Sequence, residues 1–597
     1  MDENKMMEQI AELEKEISAL PSGSITKKKI KDGIYYYHRI TADGKRKENY
    51  IDKEKAEELK IQIERRKVLQ KELKDLKALL PNDTQEKKPK DNSFNTYVRI
   101  GETLKKYALP VKRYKKRDCF NKLKEYIYDA SNEKVLILYG LRRTGKTTLI
   151  RQLISDMSDE DLSKSVFMQI KSSDTLASVN TDLKKLEEQN YKYVFIDEVT
   201  LMRDFVEGAA LFSDIFAASG MKIVLSGTDS LGFVFSEDEQ LFDRAVMLHT
   251  TFISYREFEN VLGIKGIDEY IRYGGTMSLG GTNYNGENSV FANTEKTNEY
   301  IDSAIAKNIQ HSLKHYQNGS HFRSLYSLYK NRELTSAINR VVEDMNHRFT
   351  RETLTRTFYS NDLSVSASNL RKDRFEPNDI LDRVDEKTVT ESIKNALDIL
   401  NVEEQTVAVS DVHAIEIKEY LKLLDLVDKI DVLHIPNRNN AEKLSVITQP
   451  GMRYVQAQAL AEGLLADKTF NKLNVLQKDA VLTRIKNEIK GRMMEEIVLL
   501  ETKIAKPKCK VFKLQFAVGE FDMVIYNPKT LSCEIYEIKH SKEAVDFQYR
   551  HLTDKEKCES TEHNFGKING KYVIYRGESF TKDDIKYLNV EEYLKSF

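Results

Sequence analysis

At 597 residues the chain exceeds what one hydrophobic core organises, and at about 150 residues per domain it implies roughly three to five units. Lys+Arg and Asp+Glu both number 94, a formal net charge of +0, so the 31% charged fraction is mixed surface rather than one large basic face. Any nucleic-acid contact therefore has to be local. The four cysteines form neither a CxxC pair nor a His/Cys cluster at zinc spacing, which argues against a disulfide scaffold or structural zinc and for a reducing compartment.

The N-terminus, MDENKMMEQI, has no basic stretch ahead of an apolar run, and no segment approaches the ~18 apolar residues of a membrane span. The reading is a soluble, cytoplasmic protein with no membrane partner. Met7, Ile10, Leu13, Ile17 and Leu20 recur at helical spacing and predict a short helix ending near Pro21. ITKKKIK, GIYYYHRI and KRKENYI follow, separated by Asp32-Gly33 and Asp43-Gly44, dipeptides that close tight hairpins; residues 25–51 read as a three-stranded meander. Helical period returns from Lys53 to Leu80, with Leu69, Leu73, Leu76 and Leu80 on one stripe. The polar stretch PNDTQEKKPKDNS, 81–93, reads as a linker.

Beyond the linker, short apolar runs at VLILY (from 135), SVFMQI (165), YVFI (193), KIVLS (222) and AVML (245) alternate with helical patterns, as a parallel α/β sheet requires. The strands then give way to mostly helical periodicity over 255–440, interrupted by the Gly/Asn-rich GGTNYNGENS, and return at KVFKLQF, FDMVIY, CEIYEIK and KYVIYRG. The expected organisation is a multidomain α/β chain. It comprises a small N-terminal α+β unit (1–80), a linker (81–93), a core (94–250), a helical extension or lid (251–330), a helical stretch (331–450) and a C-terminal α/β unit (451–597).

Gly140-Leu-Arg-Arg-Thr-Gly-Lys146-Thr147 fits the phosphate-loop pattern G-x-x-x-x-G-K-[ST], which chance would place about 0.02 times in a chain of this length. It also follows a predicted strand and opens a helix, the context a nucleotide site requires. The glycines let backbone N–H groups turn onto phosphates, Lys146 reaches the β/γ-phosphates, and the Thr147 hydroxyl ligates Mg²⁺. Gly140, Arg143, Thr144, Gly145, Lys146, Thr147 and Thr148 are the expected ATP contacts. YVFIDE delivers Asp197 and Glu198 to a strand end, Asp197 for Mg²⁺ and Glu198 to polarise the attacking water. On KIVLSGTDS, Ser226 and Thr228 stand where a polar side chain senses the γ-phosphate; a plain polar strand end is the alternative. Arg244, before the fifth strand, is a candidate arginine finger for a neighbouring subunit in a homo-oligomer, or a surface arginine in a salt bridge.

GLRRTGKTTLIRQL, YVFIDEV, IVLSGTDSL, DRAVMLHTTFISYREF and YIRYGG resemble the AAA-type P-loop ATPases of bacteria and archaea that carry an appended C-terminal PD-(D/E)xK nuclease-like domain. The resemblance spans ~110–330 and, more weakly, the rest. It implies an AAA-like core with a helical extension, a winged-helix-like unit over 380–440 from IEIKEYLKLLDLVDKIDVL, and a restriction-endonuclease-like C-terminal domain; no sensor-2 arginine is assigned.

In the C-terminal unit, Asp522 of GEFDMVIY precedes Glu537 and Lys539 of CEIYEIKHS in the order Asp…Glu-x-Lys. Glu537 and Lys539, two apart on a strand, point to one face, so two carboxylates and an ammonium would converge. Asp522 and Glu537 would bind Mg²⁺ or Mn²⁺, and Lys539 would orient the attacking hydroxide beside a phosphodiester. Glu495 or Glu496 on the preceding helix supplies a third carboxylate, Glu495 being the one the resemblance favours, and Gln548 on a following helix is a further candidate. The competing reading is a sheet with solvated carboxylates and a charge-paired lysine.

The basic run VKRYKKR, 111–117, reads as a solvated helix start ahead of a DNA-backbone contact. The meander, with Tyr35, Tyr36, Tyr37 and its lysines, reads as packing on its flanking helices ahead of a groove-reading sheet. Among the 11 histidines only His540, beside Lys539, merits attention. Three functions stand: an ATPase that positions DNA for a metal-dependent nuclease, a nucleotide-dependent switch that binds DNA or protein without cutting, and a signalling ATPase whose slow hydrolysis times an assembly.

Overall fold

The first 93 residues and the remainder are separate compact units, Met1–Ser93 and Phe94–Phe597. The computed structural model describes, with short interruptions, residues 24–69, 94–277, 323–349 and 409–597, together with 20, 21 and 305. In the first unit β1 (Ser24–Ile30), β2 (Gly33–Ala42) and β3 (Lys45–Ile51) form the expected antiparallel meander in the order β1-β2-β3. Ile30 pairs with Gly33 and Ala42 with Lys45, so Gly33 opens β2 rather than sitting in the turn. Helical backbone follows over parts of 55–69, burying Ala56, Ile63 and Leu69. The helix expected from Met7 to near Pro21 lies outside the described residues except for Leu20 and Pro21, which are not helical; the stripe at Leu73, Leu76 and Leu80 and the linker 81–93 also lie outside them.

The second unit holds two sheets. The first contains β4 (Tyr97–Arg99), β5 (Val135–Tyr139), β6 (Ser165–Gln169), β7 (Tyr193–Asp197), β8 (Lys222–Gly227) and β9 (Ala245–His249), ordered β4-β6-β7-β8-β5-β9. All are parallel except β4, which caps one edge antiparallel to β6. The five parallel strands match the five apolar runs because strands covered on both faces read as continuous hydrophobic stretches. Leu136 and Leu138 face one cluster with Leu149, Ile150 and Leu153, while Val135 and Ile137 face another with Val194, Ile196 and Phe212. Since β5 lies between β8 and β9, the loops after β5, β7 and β8 emerge together at the carboxyl edge, where open α/β sheets bind ligands.

The helices Tyr255–Leu262 and Ile267–Tyr273 follow. Ser254 caps the first by accepting from Glu257 N, and Gly263, at φ 75°, ends it. Of the expected lid 251–330, these two and Arg323–Lys330 are described as helix; GGTNYNGENS at 280–289 lies outside the described residues. The two helices share their apolar core, including Phe252, Phe258 and Tyr270, with Met493, Met523 and Ile538 of the C-terminal part.

The second sheet comprises β10 (Val427–His434), β11 (Glu442–Ile447), β12 (Lys510–Gln515), β13 (Glu520–Asn527), β14 (Ser532–Ile538), β15 (Lys567–Tyr575), β16 (Phe580–Lys582) and β17 (Ile585–Asn589), ordered β11-β10-β12-β13-β14-β15-β17-β16. It is mixed, with parallel pairs at β10–β12, β14–β15 and β15–β17. Here the winged-helix expectation is corrected. The helix Asp411–Leu423 forms, but the strands after it are the edge of this sheet, Asp431 pairing with Phe512, so the sheet begins at Val427 and not after residue 451. The part of that expectation over 380–408 lies outside the described residues. The 31-residue helix Val475–Ala505, capped by Asn474 through Gln477 N, packs across the sheet.

Candidate active site

The phosphate loop is built from backbone conformations that its glycines permit. Gly140 has φ 142°, and a Cβ there would stand 2.4 Å from the Thr250 carbonyl oxygen. Arg143 (φ 65°) and Gly145 (φ 88°) then reverse the chain before Lys146 starts the helix Lys146–Asp156. Left-handed residues leading into a helix N-terminus direct successive N–H groups into one concavity, a ready anion cradle. Thr144 locks the loop from within: its Oγ1 donates to Leu141 O (2.8 Å) and lies 2.9 Å from Thr250 Oγ1.

Lys146 is 6% exposed and donates to Gly140 O (2.7 Å) and Leu141 O (2.8 Å), spanning the mouth of that concavity. Burial pushes its pKa down to about 8 against the pull of Glu198 and Asp197, with Arg142 and Arg117 adding repulsion. One turn along, Thr147 Oγ1 donates to Asp197 Oδ2 at 2.8 Å, and Ser226 Oγ donates to Asp197 Oδ1. Thr148 occupies the same first helical turn. Glu198 follows Asp197 with φ 59°, which turns it off the strand line, and accepts from Thr228 Oγ1 at 3.2 Å. Burial, then the adjacent Asp197 charge, pushes the Glu198 carboxyl up, offset by Lys146, Arg142 and Thr228.

The structure thus gathers Gly140, Arg143, Thr144, Gly145, Lys146, Thr147, Thr148, Asp197, Glu198, Ser226 and Thr228 around one edge of the sheet. Arg244 is not among them. It precedes β9 at the opposite end, where its carbonyl accepts from Val135 N, and its Nε pairs with Asp214 at 2.9 Å, the salt-bridged alternative.

Three contributors escaped the sequence reading. Arg117, expected in a solvated helix start, is 5% exposed. Its Nη1 donates to Thr144 O (2.8 Å) and Thr251 O (3.1 Å), its Nη2 to Phe252 O (3.3 Å), and its Nε and Nη2 to Glu257 (3.0 and 2.6 Å). The rest of VKRYKKR is a short turn and loop, with 112–116 exposed. Glu257 lies in the quoted SYREF segment, and its burial was the missing signal. Met277, after YIRYGG, donates its N–H to Arg143 O (2.9 Å) and sets its Sδ 2.7 Å from where a Gly145 Cβ would lie.

The second constellation sits where β13 and β14 run antiparallel, one step beyond the Met523–Tyr536 pair. Lys539 Nζ is 2.9 Å from Asp522 Oδ2 and 2.6 Å from Glu537 Oε2, and Ile538 N donates to Asp522 Oδ2 at 2.8 Å. Asp522 is 3% and Glu537 1% exposed, so the solvated-carboxylate alternative does not describe them. Burial pushes the Asp522 carboxyl up, but the Lys539 and Lys513 ammoniums hold it well below the usual range. Burial, reinforced by Asp522 against the pull of Lys539, raises Glu537 well above it. Among the described residues, Glu537 Oε1 meets no hydrogen-bond partner.

The expected third carboxylate adjoins the cluster through Lys513, whose Nζ also stands 3.8 Å from Asp522 Oδ1. Glu495 accepts from Arg492 Nη1 (2.7 Å) and Lys513 Nζ (3.2 Å), and Lys513 also reaches Glu520 at 2.8 Å. Glu496 is bound by Arg453. Gln548, expected on a helix, stands in the 3₁₀ turn Asp546–Tyr549 and donates to Ser541 Oγ (2.7 Å) and Glu543 O (2.9 Å). His540 Nε2 is 2.9 Å from Asp268 Oδ1, which places it in an ion cluster with Arg576.

Among the described residues no group of three or more His, Cys, Asp or Glu side chains is placed to hold a metal ion. One hydroxyl and one carboxylate, Thr147 and Asp197, suit Mg²⁺ carried in with substrate phosphates, which supply the remaining oxygens. Asp522 with the unpartnered oxygen of Glu537 offers a comparable two-carboxylate edge. Among the described residues no helix is long and apolar enough to cross a membrane.

Comparison with known proteins locates the first site in a family. Residues 132–259 match the family described as "AAA domain", and residues 3–61 match "Domain of unknown function (DUF6788)". The chain therefore carries an AAA-type P-loop ATPase domain; the eight-stranded sheet lies outside both matches. No curated protein matches the chain. Among solved structures it is similar to C. elegans PCH-2 (20% identity, TM-score 0.17, covering 26% of this chain and 45% of that one). It is also similar to S. cerevisiae Hsp104 in a casein complex (13% identity, TM-score 0.24, covering 49% and 51%). The chain thus spans about half the length of each.

Proposed function

We propose that the core binds ATP with Mg²⁺ at the phosphate loop and hydrolyses it. The observation that carries this reading is the joined pair of contacts Thr147–Asp197 and Glu198–Thr228, which puts a metal-side oxygen pair and a buried, raised carboxyl next to Lys146. Lys146 exchanges its two carbonyl partners for phosphate oxygens, and the loop N–H groups hold the β-phosphate. Glu198 accepts a proton from water as the new O–P bond forms, the β–γ bridging bond breaks, and its electron pair leaves with ADP. Thr147 and Asp197 would hold Mg²⁺, which would neutralise charge on the transferring phosphoryl group. Lys146→Ala should abolish nucleotide binding while Glu198→Gln binds without turnover; equal hydrolysis by both and by the natural chain would contradict the assignment.

We further propose a second activity on the C-terminal sheet, cleavage of a nucleic-acid phosphodiester, DNA above all, in an assembly of identical subunits. The unpartnered, buried Glu537 Oε1 beside Asp522 favours this over a purely structural ion pair. Asp522 and Glu537 would hold Mg²⁺ or Mn²⁺, which supplies Lewis acidity at the phosphate, and Lys539 would orient hydroxide. The test is divalent-dependent cutting of single-stranded, duplex and branched DNA with and without ATP, comparing Asp522→Ala and Lys539→Ala. Loss in both supports a nuclease; no cutting by the natural chain leaves a binding module.

A further inference from the structure

β12 and β13 fall out of register beside the C-terminal site. Phe512 pairs with Val524 and Leu514 with Phe521, so Lys513 stands opposite two residues, Asp522 and Met523. Phe512, Leu514, Phe521 and Val524 all enter the cluster on one face of the sheet, whereas Met523 enters the one shared with Met493 and Ile497 of the helix Val475–Ala505. A bulge re-aims side chains, and this one brings Lys513 and Asp522 together under that helix. Lys513 Nζ, on a side chain 1% exposed, lies 2.8 Å from Glu520 Oε1, 3.2 Å from Glu495 Oε2 and 3.8 Å from Asp522 Oδ1. The second Asp522 oxygen meets Lys539 at 2.9 Å, and that ammonium continues to Glu537 Oε2. Asp522 thus bridges two ammoniums, while the buried Glu537 Oε1 has no hydrogen-bond partner among the described residues.

We propose that Lys513 is a built-in cation standing where a second metal ion would otherwise bind, so that the C-terminal site takes a single divalent ion, through Asp522 and Glu537. Carboxylate oxygens from three side chains converging on one point are a donor set that suits a hard divalent cation, and here an ammonium fills it. Arg492, 2.7 Å from Glu495 Oε2, adds positive charge on the same side. Lys513, Arg492 and Lys539 together set their charges against Glu495, Glu520 and Asp522. The unpartnered oxygen of Glu537 then marks the place left for a metal. A site with two ions clamps the attacking and the leaving oxygen alike; Lys513 confines this one to a single ion.

The inference rests on the reading that the C-terminal sheet binds a divalent ion, and the experiment separates the two. Nucleotide-free full-length chain is titrated with Mn²⁺ and followed by electron paramagnetic resonance, with Glu537→Gln, which keeps the ATP site, as the background. Above that background the natural chain should bind a single, magnetically isolated ion. Lys513→Met should bind a second, with exchange coupling between the pair, since paired ions lie about 3.5–4 Å apart. Mn²⁺ at about 100 times its Kd should also raise the thermal midpoint of Lys513→Met by about 5 °C more than that of the natural chain, because the ion replaces the lost ammonium. That readout remains usable if the variant is destabilised. No ion above background in the natural chain removes the divalent reading and the inference with it. A coupled pair in the natural chain leaves the reading standing and overturns the role of Lys513. A single ion in folded Lys513→Met, or equal stabilisation of both chains by Mn²⁺, overturns it as well.

Discussion

Replacing Arg117 by methionine removes a 5%-exposed guanidinium and strands the Glu257 carboxylate, itself 5% exposed, in the same pocket. Leaving one member of a buried ion pair costs about 3–5 kcal/mol, and the Thr144, Thr251 and Phe252 carbonyls also lose donors, on the order of 1 kcal/mol each with overlap. We expect about 4–6 kcal/mol, felt where Arg117 joins the loop to the segment after β9. Amide hydrogen exchange in the helix Lys146–Asp156 reads that cost locally, which suits a chain of several units better than one global unfolding curve. Glu257→Gln in the same chain removes the stranded charge, so the double variant should lie at least about 2 kcal/mol above the sum of the singles. Additivity within about 0.5 kcal/mol would refute the claim that the pair acts as a unit.

Glu501, 5% exposed and accepting from Tyr255 N at 2.7 Å, is pushed by burial up to about 7 from 4.5. The folded chain holds that proton more tightly, so its stabilising effect is full below pH 4.5 and is lost as pH rises through about 7, in all about 3 kcal/mol. Glu501→Gln should flatten that part of the stability–pH curve, and an unchanged slope by urea unfolding would count against it. Gly140→Ala forces a Cβ to 2.4 Å from a backbone oxygen at φ 142°. A strain of about 1–3 kcal/mol then weakens nucleotide binding roughly 10- to 100-fold, and a fluorescent-nucleotide titration at wild-type affinity would oppose this. Lys539→Met leaves Asp522 and Glu537 facing each other. We expect about 2–3 kcal/mol lost, below the 3–5 of a fully buried pair because the Lys539 side chain is 35% exposed. The loss should be greater at pH 8 than at pH 5, and a pH-independent loss in thermal unfolding would contradict it.

How much of this was legible in the sequence follows from the range of each interaction. VLILY, SVFMQI, YVFI, KIVLS and AVML became β5 to β9 because strands buried on both faces announce themselves locally, and the phosphate loop because its backbone demands glycine at fixed offsets. Arg117 was hidden because five basic residues in VKRYKKR look alike, while its partners lie far along the chain, at Thr144 and Glu257. The pairing of Asp431 with Phe512 is equally non-local: a hairpin after a helix has the same pattern as an isolated wing or as a sheet edge. In the C-terminal site the order Asp…Glu-x-Lys found the three residues that meet. It could not show that Lys513 stands between Glu495 and Asp522, since that depends on how the helix Val475–Ala505 lies on β12.

The central claim is that the phosphate loop and Asp197–Glu198 form one working ATP site. Single-turnover release of inorganic phosphate from ATP with Mg²⁺ tests it most directly, run on the natural chain, Glu198→Gln and Lys146→Ala with nucleotide binding measured in parallel. The account predicts turnover by the natural chain, binding without turnover in Glu198→Gln, and neither in Lys146→Ala. Phosphate release from Glu198→Gln at the natural rate, or ATP binding undiminished in Lys146→Ala, would contradict it.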